Sequence, residues 1–377
     1  MAAPDWIWFT FVFCLGCCIG SFLNVVIYRL PREKSLVHPG SACPSCNTPI
    51  RFYNNIPLAS WLLLGAKCPN CKASISARYF VIEFTTGAVF LGVFIAYFNA
   101  HVRLDLVPFY DGGWLIYLLH IAMLAAFIAA SAIDLELWII PLSLCWFVTG
   151  VGLAGSALAG KVLPSGALLI TSGSGTAALA TGSALGLIIS LVLMKLGLIK
   201  RSYDWEDPET TTGAPQDQDD DCNHRREACL ELVFLTPVIL CALGCWWASA
   251  HIEALTQWWG KLAQCSIFSG FMGSLWGYFI GCAVVWATRI LGTLGFGKEA
   301  MGLGDVHLMG AAGAIIGASM VTVAFFIAPF FGLGWALFHL FFKKTRQIPY
   351  GPFLSLGVFT VMIFHDWIVS KLFVFGI

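Results

Sequence analysis

Two aspartates occupy positions where a membrane protein rarely carries a charge. Asp134 ends the apolar run 127–133, and Asp305 follows the sequence Met-Gly-Leu-Gly just ahead of another apolar run. A carboxylate at the core of a bilayer costs several kcal/mol, roughly 2.5 to 3.5 kcal/mol at a helix centre, unless it faces a polar cavity or a partner. Two such carboxylates at the same depth suggest an acid and a base, so the first hypothesis is a hydrolase that acts at the membrane.

Two neighbouring carboxylates have the chemistry to hydrolyse a peptide bond. One acts as a base on water, while the other, protonated, polarises the carbonyl, and the pair shares one proton and titrates as a unit. Gly302 and Gly304 let backbone, and a substrate strand, come close to Asp305. For Gly-x-Gly-Asp alone, the alternative is a loop that begins a helix with Asp305 as its N-cap. Glu83 and Glu299 are further candidates for contacts with the pair or with substrate.

The composition excludes a soluble globular domain of this length. Of the 377 residues, 58% are apolar and only 11% are charged, and the mean hydropathy is +0.81. Such a chain is typical of a polytopic, all-α membrane protein. The net charge of zero favours no class of partner.

The apolar runs predict about ten membrane-spanning helices with both aspartates on one face. The predicted spans are 6–28, 79–98, 113–133, 138–158, 176–199, 230–249, 268–290, 306–323, 324–342 and 352–374. Between residues 29 and 78 there are seven Lys or Arg against one acid, Glu33, so this segment should be cytoplasmic. The first span then keeps its N-terminus outside as an uncleaved anchor, and the alternation of spans puts Asp134 and Asp305 at the cytoplasmic face.

Four cysteines form a metal-binding pattern in that cytoplasmic segment. They stand in two Cys-x-x-Cys hooks, Cys43 with Cys46 and Cys68 with Cys71. This spacing predicts a structural zinc site, because four thiolates leave no open coordination position. The alternative is a pair of redox disulfides, which a reducing cytoplasm disfavours.

The chain resembles the prepilin peptidases, also called type IV leader peptidases, which are aspartic membrane peptidases. The resemblance rests on several short motifs together: residues 20–31, 55–57 with 60–62, Arg78-Tyr79 with Glu83, 132–134, 297–306 and 349–353. It implies that Asp134 and Asp305 are the catalytic pair and that the four cysteines bind zinc. It also implies cleavage of the basic leader from prepilins and pseudopilins at the cytoplasmic face of the bacterial inner membrane. Many members then methylate the new N-terminus with S-adenosylmethionine, so that cofactor is implied as well.

The same motifs divide the chain. Besides substrate, the expected partner is the lipid bilayer, and no nucleic acid is expected. The predicted parts are a first transmembrane helix at 1–28, a zinc domain at 29–78, a membrane domain with the first aspartate at 79–158, an insertion at 159–267 and a membrane domain with the second aspartate at 268–377. The insertion adds two helices to a family core of eight and contains an acidic loop, 202–228, too polar to fold. Since an even number of added spans preserves sidedness, we expect the insertion to be accessory.

A second function stays open on the residues alone. An ion- or proton-coupled transporter with a zinc-stabilised cytoplasmic domain would also carry intramembrane acids. It explains neither the Gly-x-Gly-Asp loop nor the set of motifs.

Overall fold

The fold is built from helices. The computed structural model describes residues 5–104, 106–163, 170–200, 202, 224–342 and 349–374. In these residues the only extended pairings are two isolated bridges, Ala42 with Pro49 and Lys67 with Ser74. The helices are α1 Asp5–Arg29, α2 Ala59–Leu63, α3 Ala77–Phe98, α4 Gly113–Leu137, α5 Leu142–Val162, α6 Ser174–Lys195, α7 His224–His251, α8 Glu253–Ala263, α9 Ser266–Phe296, α10 Leu303–Ile316, α11 Ala318–Phe342, α12 Gly351–Ile363 and α13 His365–Val374.

The all-α, multi-pass membrane class is confirmed. Within the described ranges, eight helices are long and apolar enough to cross a bilayer, namely α1, α3, α4, α5, α6, α7, α9 and α11. The bent pair α12 and α13 makes a ninth if the two are one span. Each of the ten predicted spans corresponds to a helix or to this bent pair.

The number of full spans is smaller than about ten for a local reason. Gly317, with φ +83°, ends α10 at Ile316, so the predicted span 306–323 is divided between α10, a helix of 14 residues, and the start of α11. At 1.5 Å per residue such a helix is about 21 Å long, short of the roughly 30 Å hydrocarbon core. The last predicted span, 352–374, bends by 80° between α12 and α13.

The predicted acidic loop 202–228 lies largely outside the described residues. Of its residues, 202 and 224–228 are described, and the last five already belong to α7. The loop therefore ends at least five residues earlier than predicted.

The chain divides into two compact units, and each aspartate belongs to a different one. The first unit comprises Met1–Val151 with Val323–Ile377, and the second comprises Gly152–Thr322. In the first unit, α1 packs closely on α3 because the contact uses small residues: a Cβ at Gly20 would lie 2.7 Å from the Glu83 Cα. Such close backbone approach is how apolar helices pack in the absence of a hydrophobic driving force between them.

In the second unit, α10 packs on α9 in the same way. Gly277 of α9 faces Gly313 of α10 so closely that a Cβ on either would collide with the carbonyl of the other. Ser274 adds a hydrogen bond of 2.6 Å to the Ala314 carbonyl. This packing buries α10 along most of its length and fixes the helix whose first turn carries Asp305.

Candidate catalytic carboxylates and metal centre

Asp134 is a buried carboxylate held by a main-chain donor. It lies in the last turn of α4, where Trp138, in the left-handed conformation, closes the helix by donating to the Asp134 carbonyl. Its Oδ2 accepts a hydrogen bond of 3.0 Å from the Gly351 N–H at the start of α12. One turn earlier, Ser131 Oγ donates to Ser355 Oγ at 3.0 Å, which links the same two helices. The side chain of Asp134 is thus positioned by α12, a segment more than 200 residues further along the chain.

Asp305 is buried in the first turn of α10. Gly302 is the N-cap of this helix, so Asp305 is its third residue and not its N-cap, as the alternative interpretation of the loop would have it. Gly304 also lies within this first turn. The positive end of the helix dipole favours a carboxylate at this position. The pairing of Asp305 with Asp134 stays a prediction.

The two weaker candidates, Glu83 and Glu299, have partners of their own. Glu83 of α3 is buried, and its Oε2 accepts a hydrogen bond of 2.7 Å from the Leu58 N–H, which holds the loop before α2. Glu299 is partly exposed and forms an ion pair of 2.5 Å with Arg289. Glu83 therefore holds a backbone segment in place, whereas Glu299 contacts the side chain of Arg289.

The four cysteines meet in a cluster that fits a metal ion. The Sγ atoms of Cys43, Cys46, Cys68 and Cys71 all lie within 4.8 Å of one another, and those of Cys43 and Cys71 are 3.8 Å apart. A tetrahedral site with metal–sulfur bonds of about 2.3 Å places its sulfurs about 3.8 Å apart, so the observed spacing suits such a site.

The two hooks have the same backbone geometry. In each, the residue after the second cysteine, Asn47 or Lys72, has a positive φ and donates its N–H to the carbonyl of the first cysteine, at 2.8 Å and 3.0 Å. The first hook is closed by the bridge from Ala42 and the second by the bridge from Lys67. This repeated turn brings both thiols of each hook into the same cluster.

Hydrogen bonds prepare the thiols for a cation. The Thr48 hydroxyl, then the Thr48 N–H and the Asn70 amide, lower the pKa of Cys46 to about 6. The N–H groups of Cys71 and Asn70 lower the pKa of Cys68. The Ala73 N–H also favours the Cys71 thiolate, but desolvation and the neighbouring thiols outweigh it and raise the pKa of Cys71 to about 11. Four thiolates would repel one another here, and a bound dication would relieve that repulsion.

Comparisons with known proteins connect both regions to one family. Residues 14–97 match the Bacterial Peptidase A24 N-terminal domain, and residues 235–337 match the Type IV leader peptidase family. The chain belongs to the type IV leader peptidase family. The first match contains the four cysteines and Glu83, and the second contains Asp305 and Glu299.

Relatives in this family extend over nearly the whole chain. The prepilin leader peptidase/N-methyltransferase of Myxococcus xanthus is 42% identical over 150 residues, which is 40% of this chain and 39% of that protein. The protein of the same name from Neisseria gonorrhoeae is 42% identical over 20% of this chain and 35% of its own length, so the chain spans well under two thirds of these two. That of Aeromonas hydrophila is 24% identical over 96% of this chain and 92% of its own. No solved structure matches.

Three residues of this leader peptidase family member make contacts that were not predicted from the sequence. Gly351 stands in a recognised motif, but its role as the donor to Asp134 was not predicted. Arg289 of α9 stands at the end of the predicted span 268–290, and its contacts were not predicted. Its buried partner, Glu231 of α7, was not singled out, although it is the one acid in the predicted span 230–249.

Proposed function

We propose that the protein is a membrane aspartic endopeptidase that removes the basic leader peptide of prepilins and pseudopilins at the cytoplasmic face of the bacterial inner membrane. The observation that carries the proposal is the pair of buried aspartates, Asp134 and Asp305. Each ends or begins an apolar helix; Asp305 lies within the second family match, and the motif around Asp134 resembles that of the family. The names of the relatives support the choice of substrate. The transporter alternative has no support in the family matches.

In the proposed mechanism the two carboxylates meet and share one proton. The ionised aspartate takes a proton from water, whose oxygen attacks the scissile carbonyl, while the protonated aspartate donates a hydrogen bond to the carbonyl oxygen. Collapse of the tetrahedral intermediate breaks the C–N bond, and the aspartate that took the proton from water passes it to the leaving amine. The Gly351 N–H keeps Asp134 oriented through these steps, because it donates to the one oxygen and leaves the other available.

An apolar groove at the start of α12, the helix whose Gly351 N–H holds Asp134, is a suitable place for the substrate's own helix. Pro329, Phe330 and Leu333 of α11 line it together with Tyr350 and Phe353, on either side of the glycine that contacts Asp134. A pilin-like substrate carries a long apolar segment directly after its leader. Docked in this groove, the segment would present its start, and hence the scissile bond, to Asp134.

We propose that the metal held by the four cysteines is zinc and that its role is structural. A complete thiolate shell leaves no position for water or substrate, so the ion stabilises the small segment between α1 and α3.

Methylation of the new N-terminus by S-adenosylmethionine is proposed because the names of the relatives include an N-methyltransferase activity. The apolar groove does not fit that cofactor, since none of its lining residues is a carboxylate that would bind ribose hydroxyls. Mass spectrometry of a processed pilin tests the activity, and an unmethylated N-terminus would remove it.

The test of the peptidase is a pair of isosteric substitutions. Asp134→Asn and Asp305→Asn should each abolish cleavage of a co-expressed prepilin while the protein still accumulates in the membrane. Asp111→Asn, at an exposed position between α3 and α4, is the matched control and should cleave normally. Normal processing by either of the first two variants would contradict the mechanism. A topology map that places residues near 134 and 302 on opposite faces would contradict it as well.

A further inference from the structure

Arg289 is a buried cation in a membrane helix that the proposed mechanism does not use. It lies in the last turns of α9, and its side chain is only 2% exposed. A buried charge in a membrane helix destabilises the protein unless it is fully paired. The partners of Arg289 therefore indicate its role.

On one side, Arg289 is fixed by α7. Its Nε donates to both carboxylate oxygens of Glu231, at 2.9 Å and 3.2 Å, and Glu231 is 3% exposed. The indole of Trp286 donates to Glu231 Oε2 at 2.8 Å. Glu231 is therefore held by two donors from α9, and the planar guanidinium is held in one orientation.

On the other side, Arg289 reaches the loop that leads to Asp305. Its Nη1 donates to Glu299 Oε1 at 2.5 Å and to the Met301 carbonyl. One turn further along α9, Thr293 Oγ1 accepts the Ala300 N–H at 3.3 Å. Three consecutive points of the loop are thus tied to α9, and the last of them, Met301, directly precedes the N-cap of α10.

The buried contacts of Arg289 hold its side chain more firmly than its exposed contact with Glu299 does. Glu299 is 43% exposed, so solvent screens its ion pair and the pair contributes little. Glu231 and the Met301 carbonyl remain as the partners that define the geometry. One guanidinium satisfies both at once because its donors form a rigid fork.

We propose that Arg289 is a positioning residue for Asp305, and that Glu231 of α7 orients it. Through the Met301 carbonyl, Arg289 sets where α10 begins and hence where the carboxylate of Asp305, its third residue, is placed. Helix α7, which the sequence analysis assigned to an accessory insertion, is on this proposal part of the catalytic architecture. The inference rests on the proposed peptidase function for its effect on cleavage, but its effect on the loop is independent of that function.

The test compares three variants, the two single reversals that make up the third, and a control, all in the full chain reconstituted in nanodiscs. Arg289→Lys keeps the charge but loses the fork. Glu231→Gln keeps an acceptor but loses the charge, and is the milder change. The reversed pair, Arg289→Glu with Glu231→Arg, restores an ion pair without a donor at Met301. Glu253→Gln, at an exposed position in α8, is the matched control.

The expected result separates positioning from mere stability. For Arg289→Lys, a displacement of Asp305 by about 1 Å should lower kcat for a prepilin by about a hundredfold, with KM within about twofold. Amide hydrogen exchange in residues 298–305 should be faster than in the parent protein. The reversed pair should recover the thermal midpoint lost by either single reversal but should not recover kcat. Recovery of kcat by the reversed pair, or parental kcat and exchange in Arg289→Lys, would overturn the proposal.

The exchange measurement distinguishes this failure from that of the proposed function. A parent protein that cleaves no prepilin would contradict the peptidase proposal. Faster exchange of 298–305 in Arg289→Lys would then still support the role of Arg289 in the loop. Unchanged exchange in both Arg289→Lys and Glu231→Gln would refute that role whether or not the protein cleaves.

Discussion

Replacing Gly351 with alanine is a direct test of how Asp134 is held. A Cβ at Gly351 would lie 2.8 Å from Asp134 Oδ2, 3.4 Å from its Cγ and 3.1 Å from Ile140 Cδ1. Since non-bonded contacts to carbon are favourable only beyond roughly 3.4 Å, the carboxylate oxygen must retreat by about 0.6 Å. The Gly351 N–H bond to Asp134, now 3.0 Å, would then stretch to about 3.6 Å and no longer be a hydrogen bond.

The magnitude follows from the loss of that bond. A hydrogen bond to a charged group contributes about 1.5 to 3 kcal/mol, and each 1.36 kcal/mol is a factor of ten in rate, so kcat should fall by about 10- to 150-fold. The same bond ties α12 to α4, so the thermal midpoint should fall as well, and kcat is compared at a temperature well below the midpoint of the variant.

The assay is cleavage of a purified prepilin, followed by the mobility shift of the processed pilin, with thermal unfolding measured in parallel. Gly334→Ala is the matched control, since a Cβ there meets nothing within 4 Å. The control should keep both its activity and its thermal midpoint. A Gly351→Ala enzyme with parental kcat would refute the reasoning, because it would mean that the start of α12 does not position Asp134.

Three further outcomes are expected. Cys71→Ser, or removal of the metal by a chelator, should open the segment between α1 and α3 to limited proteolysis, while metal analysis should fall from one equivalent towards zero; an unchanged metal content would exclude the four-cysteine site. Glu83→Gln should weaken the hydrogen bond of 2.7 Å from the Leu58 N–H. Because this bond holds Leu58 at φ +59°, the loop before α2 should show faster hydrogen exchange in the variant. Unchanged exchange there would show that Glu83 does not hold the loop. Gly302→Ala should leave the thermal midpoint unchanged, because its Cβ would lie 3.6 Å from Asp305 Oδ2, but should raise KM for prepilin; parental KM would mean that the substrate does not approach at Gly302.

The sequence predicts those features whose physical signal is local. The four cysteines are recognisable because both hooks have the ligand spacing within four residues, and the membrane helices are recognisable because transfer to lipid depends on composition. Hydropathy shows that a segment is apolar but not the direction in which its helix axis runs. The 80° bend before α13 could therefore not be predicted from an apolar run. Gly317 was available as a signal for the end of α10, but a glycine in an apolar run also occurs within continuous helices.

Long-range partners were harder to predict, although not all of them were beyond reach. Arg289 and Glu231 are 58 residues apart, and nothing in the sequence between them records their contact. An arginine near the end of an apolar span needs a buried partner, and each neighbouring span can be searched for an acid. In the span 230–249 that search finds Glu231 alone. No comparable signal exists for the Gly351 N–H, since a backbone donor is present at almost every residue.

The glycines next to the two aspartates differ in what they are needed for. The packing of the protein requires Gly351 next to Asp134, but it does not require Gly302 near Asp305. Gly351 lies so close to Asp134 that any side chain there displaces the carboxylate, so this glycine is required by the protein's own structure. Gly302 has φ −73° and is exposed, and a Cβ there would make only an ordinary contact with Asp305. Neither backbone conformation nor packing requires a glycine at this position. The space it leaves in front of Asp305 therefore suits a second chain, and an extended substrate backbone at the scissile bond is what the proposed reaction would place there.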